Sequence, residues 1–593
     1  MKQGIAFSDH IKTEKIKRYR YHDEVFTLQM RGYLLVFFLA LFLLVLFGRL
    51  TYLQFIKGAY YRNLSDANRT RTKIVHAPRG IIFDRSGKPL VYNVPGFREK
   101  RGEKSIVLGR DEALSKMAKG ADNIEIDSLR QYPYKEALTH VLGYIGQISS
   151  DELKDALFAL YDYADWVGKE GIEKQYESIL RGVSGKQLLE VDASGKTVRE
   201  LGQTDPLPGQ DITLTIDAAF QDATYKAMKN VKRGAAIVST PTGEILALVS
   251  RPSFDANLFT LDQSYKPSGD YVSVEAILSD GEGQPLLNRA ISGTYPPGST
   301  FKLVTAAAGL EDGVIDERYH VTDTGIVRVG AFSFANWFFT QYGRTDGDVN
   351  VVKAISRSND IFFYKLAELV NVDRLSKMAK KFGIGSVLGI DLVGEAQGIL
   401  PTRDWKKKEI GEEWYLGDTY HYGIGQGYLL TTPLQVNTWT AVIANEGTLY
   451  QPYLLKSEKR KTKSEKFLSD KTISLIRQGM IQSCSPGGVA WPLFELRVKN
   501  SELRIDGRNF LEDPKATTSG GFQEYRKVTV ACKTGTAQHG GEETKPHAWI
   551  TLFAPAYDPQ IVVTVLSEES GEGSNEAAPI AKKILEAWFG RKQ

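Results

Sequence analysis

The chain has 593 residues, of which 42% are hydrophobic and 25% charged, and its net charge is +4. That length holds two or three domains with large cores, and that composition excludes a disordered chain. The balanced charge gives no case for nucleic acid. The only two cysteines, Cys484 and Cys532, stand in no metal-ligand spacing, and whether they are bridged stays open.

The first element is a membrane span. "GYLLVFFLALFLLVLFG", Gly32 to Gly48, is uncharged and almost wholly apolar, and the following "LTYLQF" extends it past Arg49. No cleavage-site pattern marks it as a signal peptide. Lys12, Lys15, Lys17, Arg18, Arg20 and Arg31 precede the span, so the basic bias puts the N-terminus inside and the bulk of the chain outside. The expected anchor is residues 32–54 behind a cytoplasmic tail, 1–31. Gly32, Ala40 and Gly48 offer small-residue contacts to another helix.

Residues 55–232 read as a supporting module. "RGIIFDRSGKPL", Arg79 to Leu90, predicts a strand, a turn at Ser86-Gly87 and a second strand. Short strands and helices such as "EGIEKQYESILRG" follow, and "PGQDITLTID", Pro208 to Asp217, predicts a strand leading out. Residues 233–593 read as the main domain. "GAAIVSTPTGEILALVS" predicts a hairpin turning at Thr240–Gly243. Three further strands are predicted over Lys527–Gln538, His547–Pro555 and Ile561–Glu569. A closing helix carries Ile580, Ile584 and Trp588 on one face. Two strands from the start and three from the end, with helices between, predict one mainly antiparallel sheet in a layered α/β domain.

Three motifs lie in that domain. In "SGTYPPGSTFKLVTAAAGL", Pro296, Pro297 and Gly298 stop any regular element. The run Phe301–Leu310, closed by Gly313, predicts a helix, which puts Ser299 near its N-terminus and Lys302 one turn on. Alone, Ser299 reads as an N-cap and Lys302 as a solvated side chain. "SRSNDIFFYKLAEL" carries Ser358-Asn359-Asp360, which alone reads as another cap. "ACKTGTAQ" carries Lys533-Thr534-Gly535 on a strand, where a lysine alone reads as edge protection. Together, and in this order, S-x-x-K, S-x-D and K-T-G form the signature set of penicillin-recognising serine acyl-transferases.

With these motifs, "RGIIFDRSGKPL", "NRAISGTYPPGSTFK", "YGIGQGYLLTTPLQ" and "KTGTAQ…HAWITLFAP", the chain resembles the class B penicillin-binding proteins over nearly everything after residue 32. Pro401–Tyr428 is most similar to the elongation-type members. The resemblance implies a single N-terminal transmembrane helix, a mixed α+β pedestal, and a serine β-lactamase-like transpeptidase domain whose antiparallel sheet is flanked by helices. It also implies a peptidoglycan D,D-transpeptidase of the extracytoplasmic face of the inner membrane, serving elongation and inhibited by β-lactams. Between Leu90 and Arg130 the chain is shorter than many relatives, which implies a reduced pedestal lobe. Some elongation-type relatives hold a metal near the second motif. Here Asn359 stands where a thiol is needed, so neither metal nor cofactor is expected.

The resemblance assigns roles that the chemistry of acyl transfer requires. Ser299 is the nucleophile and Lys302 its base, neutral through burial and through the nearby cation Lys533. Ser358 relays the proton to the leaving amine, and Asp360 binds Lys302 or the substrate amide. Thr534 and Thr536 meet the substrate carboxylate. Gly535 lets the substrate backbone approach, and the backbone N–H groups of Ser299 and Thr536 form the oxyanion hole. The implied partners are stem peptides, lipid-linked nascent glycan, β-lactams, a SEDS glycosyltransferase of the RodA type and a scaffold protein of the elongation complex. A division-type transpeptidase is the alternative within the class. A β-lactamase, a β-lactam sensor and a non-catalytic scaffold are the alternatives outside it. The anchor and pedestal argue against the first, the short tail against the second and the intact motifs against the third.

Overall fold

The computed structural model describes residues 19–590 apart from 103, 122, 156–157, 159–160, 162, 164, 193–195, 263, 458–463, 500–524 and 541–543. Lys12, Lys15, Lys17 and Arg18, used above for orientation, lie outside the described residues. The chain forms two compact units, residues 1–75 with 185–205, and residues 76–184 with 206–593.

The first unit contains the anchor. A helix runs from Tyr19 to Thr51, and Met30–Ile56 is apolar enough to cross a membrane, with a mean hydropathy of 2.6 over its most apolar window. Its apolar side chains are exposed, as a lipid-facing helix requires. A second helix, Gly58–Arg69, leads into a three-stranded antiparallel sheet of Thr70–Val75, Gly185–Val191 and Thr197–Thr204. Glu190 on its middle strand pairs with both Arg69 and Arg199.

The second unit opens with the hairpin foreseen at Arg79–Leu90. Ile82–Phe83 pairs with Pro89–Arg101, and Asp84 closes the turn by accepting from the backbone of Ser86 and Lys88. The outgoing strand is shorter than predicted. Only Ile212–Thr213 pairs regularly; Leu214, Thr215 and Asp217 then bond Phe83, Leu454 and Leu246 in turn. The segment is extended but changes partner at almost every residue, because it stitches the supporting module to the main one. Arg130 and Glu173, both fully buried, form an ion pair at 2.7 Å beneath it.

The main part follows in chain order. Helix α1 (Ala218–Ala227) precedes β1 (Gly234–Ser239) and β2 (Ile245–Arg251). Then come α2 (Lys302–Glu311), α3 (Val351–Arg357), α4 (Asp360–Lys381, interrupted at Asn371), α5 (Pro433–Ala444) and α6 (Asp470–Ser483). The chain ends with β3 (Ala531–Ala537), β4 (His547–Ala554), β5 (Ile561–Ser567) and α7 (Ala577–Phe589). The sheet order is β2-β1-β5-β4-β3, antiparallel throughout, so β3 is an edge. Alternation on β4 explains the layers. Trp549 and Phe553 pack with α2, α4 and α5, while Ile550 and Leu552 pack with α1 and α7. On α7, Ile580 and Ile584 are buried and Trp588 packs against them at the edge of the same core.

The predicted strand over Lys527–Gln538 is two strands. Tyr525–Lys527 pairs with Arg497–Lys499, and residues 528–530 pass between the two pairings before β3 begins. Cys532 on β3 is bridged to Cys484 at the end of α6, with Cα atoms 5.9 Å apart across 48 residues of sequence. Closing a loop of that length restrains the unfolded chain by roughly 4 kcal/mol. Alkylation of the denatured, unreduced protein is therefore expected to find no free thiol, and the double variant Cys484→Ala/Cys532→Ala to melt lower by about that free energy. Two alkylated cysteines in the unreduced protein would sink this reading.

Candidate active site

The segment before Ser299 is built around one glycine. Gly298 has φ +53°, donates its N–H to Gly425 O at 2.8 Å, and leaves no room for a Cβ, which would stand 2.9 Å from Thr536 O. A 3₁₀ turn, Gly298–Phe301, runs directly into α2. Ser299 thus lies in that turn rather than at an α-helical N-cap, half-buried and facing a cleft of about 740 Å³. Among the described residues its hydroxyl has no hydrogen-bond partner. Nucleophile–base contacts in free enzymes commonly tighten only when substrate binds.

Lys302 points into the protein and is fully buried. Its Nζ donates to Ser358 O at 2.8 Å and Asp360 Oδ1 at 2.6 Å, and lies 3.3 Å from Ser358 Oγ. Ser358 ends α3 in the left-handed region, with φ 55° and ψ 37°. That turn aims its carbonyl at Lys302 instead of continuing the helix. Asp360 opens α4, and its second oxygen accepts the N–H of Trp337 at 2.9 Å. Lys533, also fully buried, reaches Ser358 Oγ and Thr534 O, each at 2.8 Å. One serine hydroxyl therefore sits between two buried lysines.

Burial lowers the pKa of both lysines. Asp360 opposes this at Lys302, while at Lys533 the charge of Lys302 adds to the depression and takes it well below the ordinary lysine value. The sequence reading made Lys533 the cation that neutralises Lys302. In the structure Asp360 touches Lys302 directly, and the charge of Lys302 is in turn among the causes that lower Lys533.

The other residues singled out from sequence meet here too. Thr534, Gly535 and Thr536 line the cleft on the free edge of β3. A Cβ at Gly535 would come within about 3 Å of Thr300 Cγ2, Pro297 O and Trp549 Cβ. This glycine is required by the protein's own packing, since it lets the strand lie against the Ser299 turn. Thr536 is exposed, and its hydroxyl accepts the N–H of Gly573 at 3.4 Å. Sequence reasoning missed Trp337, Tyr364, His421 and His539 on the cleft wall. The aromatic run "FSFANWFFTQY" was the available signal for Trp337, since so many large aromatics clustered together need a reason to be there.

Asn359 allows a test of the metal question. Its amide nitrogen donates to Asp323 Oδ2 at 2.8 Å and Asp346 Oδ2 at 3.1 Å, and that of Asn336 donates to Asp323 Oδ2 at 2.8 Å. Amide nitrogens carry hydrogens and offer a cation no lone pair. They fill the space between the carboxylates, so this donor set does not fit a metal ion.

Comparison with known proteins agrees with the site. The family described as the penicillin binding protein transpeptidase domain matches residues 234–586, and the penicillin-binding protein dimerisation domain matches residues 111–214. The peptidoglycan D,D-transpeptidase MrdA of Escherichia coli is 32% identical over 91% of this chain and 91% of that protein. Penicillin-binding protein 2 of Helicobacter pylori, solved in complex with MreC, superposes with a TM-score of 0.70 at 28% identity, covering 88% of this chain and 98% of that one. A chain of a peptidoglycan synthase complex described as coordinating polymerization and crosslinking superposes with a TM-score of 0.68 at 29% identity, covering 95% and 99%. The motif set, the sheet that carries it and these matches along nearly the whole length lead to one statement: the chain belongs to the class B penicillin-binding proteins, in the elongation-type penicillin-binding protein 2 group.

Proposed function

We propose that this protein is a serine-type D-Ala-D-Ala transpeptidase that cross-links peptidoglycan stem peptides during cell elongation. The observation that carries this is the single hydroxyl, Ser358 Oγ, contacted by two buried lysines beside the Ser299 turn and the free edge of β3.

The stem peptide adds along that edge as an extra strand. Its terminal carboxylate lies among Thr534, Thr536 and Lys533. A carboxylate there stabilises a proton on Lys533, the lysine that forms no ion pair with an acidic side chain among the described residues. The lysine pair then shares its charge differently, and Lys302 becomes the neutral member. Ser299 Oγ attacks the penultimate D-alanine carbonyl while Lys302 takes its proton. The backbone N–H groups of Ser299 and Thr536 receive the oxyanion; their segments already lie backbone to backbone at Gly298. The C–N bond breaks, and Ser358 passes a proton to the departing D-alanine amine. The amine of a second stem peptide attacks the ester, loses its proton to the same relay, and Ser299 leaves with its proton restored. A β-lactam stops the sequence at the acyl-enzyme.

The two family matches support a pedestal at 55–232 and a transpeptidase domain at 233–593. The apolar helix supports a single-pass anchor. Our reading places it in the bacterial inner membrane, with the N-terminus cytoplasmic and the catalytic part periplasmic. The relatives solved with MreC and within a synthase complex support a scaffold partner and a glycan-polymerising partner. For the latter we propose a SEDS glycosyltransferase of the RodA type acting on lipid-linked glycan.

Ser299→Ala is expected to abolish covalent labelling by a fluorescent penicillin in a protein that remains folded by circular dichroism. An adduct found by mass spectrometry on Ser358 or Ser356 would overturn the assignment. Wild-type acylation is expected to rise with pH, because loss of a proton from the lysine pair creates the base. The apparent pKa falls below that of free lysine, as burial of both side chains requires. Lys302→Arg loses acylation almost completely, since a guanidinium stays protonated, whereas Lys533→Arg keeps its charge and part of the rate. Equal losses with a pH-independent wild type would refute separate roles. For the process served, depletion in a rod-shaped host is expected to give round cells that still divide; filaments with blocked septa would indicate the division-type alternative.

A further inference from the structure

We propose that Asp323 is a positioning residue of this reaction, resting on the acyl-transfer reading above. Through two asparagines it fixes the backbone that presents Ser358 and Asp360 to Lys302. Asp323 lies in a loop more than thirty residues before the second motif and is buried at 4% exposure. Among the described residues it forms no ion pair with lysine or arginine. Four N–H groups converge on it instead. Gly325 N donates to Oδ1 at 2.8 Å, while Asn336 Nδ2, Asn359 Nδ2 and Asp346 N donate to Oδ2 at 2.8, 2.8 and 2.9 Å. Asn336 and Asn359 are both fully buried.

Each asparagine turns its other end to the motif. Asn336 Oδ1 accepts Asp360 N–H at 3.2 Å, and the next residue, Trp337, donates its N–H to Asp360 Oδ2. Asn359 Oδ1 accepts Phe362 N–H at 2.9 Å and caps α4. Asn359 also donates to Asp346 Oδ2, and Asp346 Oδ1 is held by Arg357 at 2.9 Å. The cage thus grips residues 357, 359 and 360 around Ser358. Ser358 is the one that needs gripping. Its left-handed backbone is costly for an L-residue, and such conformations persist only when their surroundings over-determine them. Released, residue 358 relaxes toward the right-handed helix of α3 and withdraws its carbonyl and hydroxyl from both lysines. A carboxylate suits position 323 because every convergent group is a donor; an amide there would set N–H against N–H. The same donors are why the cage does not fit a metal.

The test uses the full-length protein in detergent, a fluorescent penicillin, and acylation resolved into a binding constant and an acylation rate constant across pH. Asp323→Asn is expected to lower the acylation rate constant about tenfold or more, as small misplacements in catalytic geometry do. Binding should stay within about twofold, since the carboxylate-binding edge of β3 is untouched. The pH midpoint should move down, because a Lys302 held less well by Asp360 loses the group that raises its pKa. A purely structural role lowers the melting temperature and the amount of active enzyme but moves neither the rate constant per folded molecule nor the midpoint. Wild-type values of both in a folded Asp323→Asn protein overturn the proposal. Should that variant not fold, Asn336→Ala, which keeps the carboxylate and three of its donors, decides by the same readouts. Treatment of the wild type with EDTA is expected to change nothing; a loss of acylation restored by zinc would overturn the cage in favour of a metal. Loss of acylation in Ser299→Ala is read separately, so failure of the cage leaves the acyl-transfer reading standing.

Discussion

Everything in the site follows from burying a lysine. An unpaired ammonium in a protein interior costs several kcal/mol, so Lys302 must be matched, neutralised, or both. Asp360 at 2.6 Å matches it, and burial works in the opposite sense. In the mechanism proposed above it is this opposition that lets Lys302 serve as the base. Lys533 sits across the same serine and, among the described residues, pairs with no carboxylate. The asymmetry between the two is the useful feature. On the function proposed above, a negatively charged ligand group arriving at β3 acts first on Lys533.

Holding that arrangement requires segments far apart in the chain. Ser299 and Lys302 come from a 3₁₀ turn entering α2, Ser358 and Asp360 from the junction of α3 and α4, and Lys533 from β3. None can move independently. Gly298 fits only because Thr536 O is next to it, and Gly535 only because Pro297 and Thr300 are. The close packing of turn against strand places Ser299, the proposed nucleophile, and glycine at both contact points makes the approach possible.

Local pattern made much of this legible. The strands β1, β2, β4 and β5 follow apolar runs bounded by turn residues, and the motifs carry residue types that only acyl transfer explains together. What was not legible is what depends on partners rather than on pattern. Residues 528–530 look like strand because all three are β-branched, yet they bridge two different pairings. Residues 214–217 look like strand because they alternate, yet each bonds a different neighbour. That Asp360 touches Lys302 directly, while Lys533 meets Lys302 across Ser358, is a matter of tertiary contact that spacing along the chain does not encode. Asp323 and Asn336 belong to no motif. Their importance appears only when four loops are brought together.

An exposed sheet edge is normally a hazard, because it invites pairing with any extended chain. Here the edge strand β3 carries Lys533 and lines the cleft, and the proposed function requires it to stay open to an extended peptide. Its surroundings restrict that openness to one direction. The Ser299 turn covers one face at Gly535, and on the other the loop at Gly573 approaches so closely that a Cβ there would stand 2.5 Å from Gly535 O. On its inner side β3 is paired to β4 along its whole length. The disulfide to α6 fixes the residue next to Lys533. Among the described residues the strand thus has one free line of backbone groups, placed beside Ser299. On the function proposed above, a peptide that pairs there is brought into register with Ser299 by the same hydrogen bonds that bind it, and the orientation needed for attack comes from the binding itself.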